Sequence, residues 1–252
     1  MGRSKKYVLK TSPSKIESNI LVIWGPMYAG KTTEMSIKVL KLRQKHKRVM
    51  LVASNIDDRY KKSGSTSLEM HSNLGLTFAP EDVEIVTSID EISYERISGY
   101  DVVCIDEGQF IEGDLVQWVI TAAVMFDKRV IIGGLNMWHD KKPIESLAHL
   151  VSIGAQSKFL FSQCQVCGEH DIATFSPRIR RTNMHSDTKK RLIENRARLR
   201  SSGADGVPED VENTLSKAYF DSHIKIGGKD LYAAACYGCY TKVADVPPMN
   251  CE

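Results

Sequence analysis

Short apolar runs alternate with amphipathic segments along the first 157 residues, and this alternation predicts the elements. Continuous apolar runs at 19–24 (NILVIW), 48–54 (RVMLVAS), 83–88 (VEIVTS), 101–106 (DVVCID) and 129–135 (RVIIGGL) read as buried strands. Between them, 32–46 carries Met35, Val39 and Leu42 at helical spacing, with basic residues on the other face. Segments 89–97, 114–126 and 143–151 read as further helices, with Pro143 expected in the first turn of the last, where its missing N–H costs nothing. Residues 63–77 are polar and punctuated by glycine, so a loop is expected there. Strands that are apolar on both faces and alternate with helices imply an α/β fold: a parallel sheet covered on both sides.

After about Ser157 the chain turns mostly polar, and two CxxC pairs bracket a long segment. The expected organisation is a loose N-terminal tail at 1–18, an α/β domain at 19–156, a smaller unit at 157–242 with an insertion at about 179–222, and a flexible tail at 243–252. Apolar residues make up 42% of the 252, enough for a real core. A net charge of +3 argues for neither a nucleic-acid nor a membrane partner. No window approaches the roughly 18 apolar residues of a membrane span. The N-terminal stretch is basic but has no apolar core, so it is not read as a secretory signal, and a cytoplasmic location is expected. Gly2 is not a myristoylation site, because Lys6 stands where Ser or Thr is required.

The stretch GPMYAGKT fits GxxxxGK[ST] over Gly25, Pro26, Met27, Tyr28, Ala29, Gly30, Lys31 and Thr32. It follows an expected strand and opens an expected helix, the setting that makes this pattern a phosphate site. Backbone N–H groups and the helix N-terminus form an anion nest. Lys31 is expected to reach the β- and γ-phosphates of ATP, and Thr32 to ligate Mg²⁺.

The run VVCIDEGQF ends in two adjacent carboxylates, Asp106 and Glu107. Successive residues on a strand point to opposite sides, so the two acids are not expected to share one target. Ligands of open parallel sheets sit beyond the carboxyl ends of strands. Asp106 is then expected to face the phosphate loop and its Mg²⁺, and Glu107 the phosphoryl acceptor, whose hydroxyl proton it takes.

Cys164, Cys167, Cys236 and Cys239 form two CxxC pairs separated by 68 residues. In a chain with no secretory signal they point to metal rather than disulfides. Four thiolates make a closed tetrahedral zinc site, structural rather than catalytic, worth on the order of 10 kcal/mol to a unit with little core of its own. Cys104 reads as core, and Cys251 carries no assignment.

With GPMYAGKTTE, DDRY, IDEGQF, KKP, both CxxC pairs and IGGKDLY in this order, the chain resembles the cellular-type, RecA-like, zinc-containing thymidine kinases from about residue 19 to 242, apart from the insertion. That resemblance implies transfer of the ATP γ-phosphate to the 5′-hydroxyl of thymidine, a RecA-like sheet, and a lasso loop in the zinc unit that closes over the base. It implies that Glu107 is the general base and that residues 25–32 bind the phosphates. Asp57, Asp58, Arg59, Asp106, Gly108 and Gln109 become further nucleotide contacts, and Met27 and Phe110 walls of the base pocket. Ser176 and the lasso residues His223, Ile224, Lys225, Ile226 and Gly227 become nucleoside contacts, with Tyr232 covering the nucleoside. A homotetramer regulated by the end-product triphosphate is also implied.

Three features depart from the family. Asn136-Met137-Trp138-His139 replaces an Asp-Gly-Thr-Phe-like turn, so His139 stands where a Phe packs on the base. Met70-His71-Ser72 replaces Thr-His-Asp, and His71 reads as a loop residue. The insertion carries nine Lys or Arg against two acids between Arg178 and Arg200, a basic helical surface with no interleaved aromatic, so nucleic acid is not the expected partner. A second reading stays open at this point: a catalytically weakened relative acting as a nucleotide-binding scaffold. The pair Lys31 and Glu107 argues against it.

Overall fold

The computed structural model describes residues 15–56, 68–69, 76–168, 172–178, 190, 194 and 232–243. Asp57, Asp58, Arg59, His71 and the lasso positions His223, Ile224, Lys225, Ile226 and Gly227 lie outside them, as does the 179–222 insertion apart from Lys190 and Glu194. Those two are helical and stand one turn apart, Nζ to Oε1 4.0 Å.

The strands are β1 (Ile20–Gly25), β2 (Val49–Ser54), β3 (Leu68–Glu69), β4 (Thr77–Phe78), β5 (Val83–Val86), β6 (Val102–Ile105), β7 (Arg129–Leu135) and β8 (Gln156–Phe159). The helices are α1 (Lys15–Asn19), α2 (Lys31–Arg43), α3 (Tyr94–Ile97), α4 (Leu115–Val124), α5 (Glu145–Ser152) and α6 (Tyr237–Val243). Six strands form one sheet in the order β5-β2-β6-β7-β1-β8, every pair parallel. The expected α/β architecture is therefore present.

The sheet sorts its residues by parity. Ile20, Val22, Met50, Val52, Val103, Ile105, Val130 and Ile132 face one side, against Leu115, Trp118 and Val119 of α4 and Leu147 and Leu150 of α5. Leu21, Ile23, Leu51, Ala53, Val102, Cys104 and Ile131 face the other, against Met35 and Val39 of α2. Burial on both faces is why the strands read as continuous apolar runs rather than alternating ones. It also pushes the Cys104 thiol far above its ordinary range, so this cysteine is inert core as expected.

Several expectations need correction. The segment 89–97 is not one helix: Ser88 caps a 3₁₀ turn (Ile89–Glu91) in a capping box with Glu91, and Ser93 then caps α3 afresh. Pro143 is not in the first turn of α5, which starts at Glu145; it pairs with Met137 in an antiparallel bridge that closes the 137–143 loop. The polar tail ends sooner than residue 18, because α1 is tied down: Lys15 Nζ donates to the Val124 carbonyl, and Asn19 Nδ2 to that of Ala123. β8 was not expected; it is a half-exposed edge strand with no apolar run. The expected 63–77 loop contains β3, which pairs antiparallel with β4.

The remaining described segments, 162–168, 172–178 and 232–243, wrap the four cysteines through isolated bridges at Ser162–Ala173, Phe175–Ala235 and Arg178–Tyr232. Small residues Ala173, Ala233, Ala234 and Ala235 fill this core, fully buried. It meets the sheet where β1 ends. A Cβ on Gly25 would stand 2.2 Å from the Leu160 carbonyl oxygen, a backbone atom that cannot rotate away. Gly25→Ala is expected to destabilise the protein by about 1–3 kcal/mol through this overpacking, read as a lower midpoint in urea unfolding with an unchanged slope.

Candidate functional site

The site lies at the carboxyl ends of β1, β7 and β6, where open parallel sheets bind ligands. β1 runs into the phosphate loop and α2 leaves it at Lys31. Two loop residues take left-handed backbones, Tyr28 (φ 63°) and Gly30 (φ 78°). Gly30 is the N-cap of α2 and makes no side-chain cap bond, so the first turn of α2 is left for an anion to cap. Lys31 is buried (7% exposed), and its Nζ donates to the Pro26 carbonyl at 2.7 Å. Thr32 is half-buried in the first turn of α2, and Ala29 is half-buried in the loop.

The loop is held from the cysteine unit. Met27 N–H donates to Ser176 Oγ at 2.8 Å, and Ser162 Oγ donates to the Tyr28 carbonyl at 3.3 Å. The Tyr28 side chain packs on the cysteine core. The structure thus sets Ser176, expected at the nucleoside, against the phosphate loop backbone. Asn136, directly after β7, ties the parts together: its N–H donates to the Gly25 carbonyl (3.3 Å) and its Nδ2 to that of Thr174 (3.1 Å). Sequence reasoning missed Ser162 and the bridging role of Asn136, because their partners lie far away along the chain.

The two acids behave differently, and not for the reason the pleat suggested. β6 ends at Ile105. Asp106 continues the parity of Val102 and Cys104 toward the α2 face, is 2% exposed, and donates its N–H to Val52 O. Glu107 has left the strand: its backbone is left-handed (φ 50°, ψ 49°), and it is the N-cap of a 3₁₀ turn (Gly108–Phe110). Its direction is therefore set by that turn, not by strand alternation. Gly108 packs closely: a Cβ there would lie 2.7 Å from Ile132 Cδ1, so that side chain would have to shift. Gln109 Nε2 donates to Glu107 Oε2 at 2.6 Å, while Gln109 Oε1 accepts from Leu135 N–H at 3.2 Å.

Two aromatic pairs involve residues of the expected nucleoside pocket. Phe110 and Trp138 have ring centroids 6.1 Å apart, and His139 meets Tyr232 edge-on at 6.3 Å. Trp138 packs on the sheet core, which accommodates its bulk where the family has a smaller residue. A cavity of about 250 Å³ lies beside it, lined by Gln109, Lys142, Pro143 and Ile144. Tyr240, which sequence reasoning passed over, donates its hydroxyl to the His139 carbonyl at 2.5 Å and so fixes the variant turn to α6. Burial raises the Tyr232 phenol above its ordinary value, with Arg178 opposing, so it stays a neutral donor at neutral pH.

The sulfurs of Cys164, Cys167, Cys236 and Cys239 all lie within 4.8 Å of one another. Cys164, Cys236 and Cys239 are buried, and Cys236 N–H donates to Cys164 Sγ at 3.3 Å. Burial raises the Cys164 and Cys239 thiols, and neighbouring thiols add to it at Cys239. Four convergent sulfurs with a backbone N–H donor to one of them suit a metal that takes thiolates.

A sheet whose first strand opens into GPMYAGKT, with carboxylates at the tip of a strand one place removed, is the framework of a P-loop nucleotide-binding protein. Within that class the chain belongs to the thymidine kinase family, whose profile matches residues 18–240. It is similar to thymidine kinase 1 of Dictyostelium discoideum, 31% identical over 228 residues (90% of this chain, 79% of that protein). It is similar also to the thymidine kinase of Pseudothermotoga lettingae, 27% identical over 225 residues (89% and 96%). The cytosolic thymidine kinase of Homo sapiens is 27% identical over 243 residues (96% and 82%).

Two outcomes test this geometry. Glutamate at a left-handed position is strained by about 1 kcal/mol relative to glycine. Glu107→Gly is therefore expected to unfold at equal or slightly higher denaturant than the parent, whatever it does to turnover. Native mass spectrometry is expected to find one tightly held metal ion per chain, absent from the Cys164→Ser, Cys239→Ser variant, whose thermal midpoint falls by several degrees.

Proposed function

We propose that this protein is an ATP-dependent thymidine kinase that moves the γ-phosphate of ATP to the 5′-hydroxyl of thymidine, giving the monophosphate and ADP for nucleoside salvage. The observation that carries the reading is the phosphate loop at the end of β1 standing with an acid held in a left-handed turn at the end of β6, in a chain of the thymidine kinase family.

The 25–32 backbone and the α2 N-terminus cradle the triphosphate. Lys31 exchanges the neutral Pro26 carbonyl for phosphate oxygens, a stronger charge-assisted bond. Asp106, buried on the α2 side, and Thr32 hold Mg²⁺, which when bound neutralises phosphate charge. Glu107 accepts the proton of the 5′-hydroxyl as its oxygen bonds to the γ-phosphorus, and the bond to the β-phosphate oxygen breaks with its electron pair leaving on ADP. Phe110, Met27, His139 and Tyr232 enclose the nucleoside, with Ser176 beside the loop, and the resemblance assigns further base contacts to residues 223–227, which lie outside the described residues. Asp57, Asp58, Arg59 and Gly108 complete the nucleotide site carried over with the resemblance. Deoxyuridine, which differs from thymidine only in lacking the 5-methyl group, is the second acceptor to test.

Zn²⁺ at the four cysteines is structural: a closed four-thiolate site has no open position for chemistry. Among the described residues no helix is long and apolar enough to cross a membrane. A cytoplasmic location matches the cytosolic name of the human relative, and a homotetramer is the assembly carried over with the resemblance. The scaffold alternative finds no support, since the chain keeps both Lys31 and Glu107 within a thymidine kinase family match.

ADP release from Mg-ATP is expected to rise with thymidine and not with purine nucleosides. Glu107→Gln is expected to lower kcat by about 10²–10⁴-fold while thymidine still binds, as seen by calorimetry. Undiminished turnover in Glu107→Gln would refute the base assignment.

A further inference from the structure

We propose that Gln109 is a positioning residue for Glu107: its side-chain amide locks the carboxylate to the end of β7, the strand whose tip is in register with the start of the phosphate loop. This inference deepens the kinase reading and rests on Glu107 as the base.

The amide orientation follows from donor arithmetic. Leu135 N–H is a donor only, so the Gln109 atom 3.2 Å from it must be the oxygen. The nitrogen is then the atom that faces Glu107 Oε2, at 2.6 Å. Leu135 pairs with Gly25, the first residue of the phosphate loop, and the next residue, Asn136, donates its N–H to the Gly25 carbonyl. An unbroken path therefore runs from the loop through β7 to the Gln109 amide and the base. Glycine at 134 leaves the amide its room: a Cβ there would lie 2.5 Å from Gln109 Oε1.

This lock matters because Glu107 is no longer on a strand. Its backbone leaves the β6 ladder in a left-handed turn, so the sheet alone does not fix its side chain. A carboxylate free to swing loses alignment with a hydroxyl, and a displacement of about 1 Å costs on the order of 10²-fold in rate. Gln109 thus acts through Glu107, rather than on the nucleotide as the resemblance implies.

The test compares Gln109→Met, which keeps length but no hydrogen bonds, with Gln109→Glu, which keeps the acceptor for Leu135 N–H but sets a second carboxylate against Glu107. Each is made alone and in the Glu107→Gln background. Both single variants are expected to lose about 10- to 100-fold in kcat, with KM for thymidine and ATP within about threefold of the parent. In the Glu107→Gln background neither is expected to lower the residual kcat further, because a residue that acts through another has nothing left to position. A raised KM for ATP with kcat unchanged, losses that multiply with Glu107→Gln, or no loss in either single variant would each overturn the proposal. Failure of the underlying reading shows separately, as full turnover in Glu107→Gln by itself. Should Gln109→Met not fold, Gln109→Glu carries the same comparison.

Discussion

The parallel register of β1, β7 and β6 is the constraint on which the site depends. Leu135 stands beside Gly25 on one flank, and Val103 to Ile105 pair with Val130 to Ile132 on the other. Backbone hydrogen bonds thereby set the distance between the phosphate loop and the acids before any side chain contributes. A slip of one residue in either pairing would reverse the parity of that strand and move its apolar set to the wrong face. Burial of both faces makes such a slip costly, so the core that holds the sheet together also calibrates the site.

A second support comes from outside the sheet. The cysteine unit meets the phosphate loop through Ser176 at Met27, Ser162 at Tyr28 and the ring of Tyr28 itself. The loop carries two left-handed residues in six, so it needs such outside bracing. The unit has a small alanine-rich core, and cross-linking through four thiolates would supply the rigidity that its apolar area does not.

Much of this was legible in the residues, and the limits have physical causes. The extent of β7 is legible because Val130 to Gly134 form an unbroken buried run of apolar and small residues. The phosphate loop was legible because its chemistry is local: eight consecutive residues hold it. β8 escaped because an edge strand that is half exposed needs no apolar pattern, only the free edge of β1. The break after Glu91 hung on Ser93, a cap that a hydrophobic period does not display. Opposite sides are expected for Asp106 and Glu107 because pleat parity is the only local rule a strand offers, whereas Glu107 leaves that rule by turning left-handed, a feature ordinarily signalled by glycine or asparagine. The bond from Leu135 to Gln109 and the partners of Asn136, Ser162 and Ser176 are illegible because they are tertiary contacts.

Trp138 gives the site an optical handle. The protein has three tryptophans. The indole N–H of Trp24 is engaged by Ser157 at the sheet edge, and that of Trp118 by the Ile92 carbonyl within the core. Trp138 instead lies half-buried against Phe110 and borders the cavity next to Gln109. The residue that replaces a small one in the variant turn therefore makes occupancy of this cleft visible as a change in intrinsic fluorescence, with no label attached.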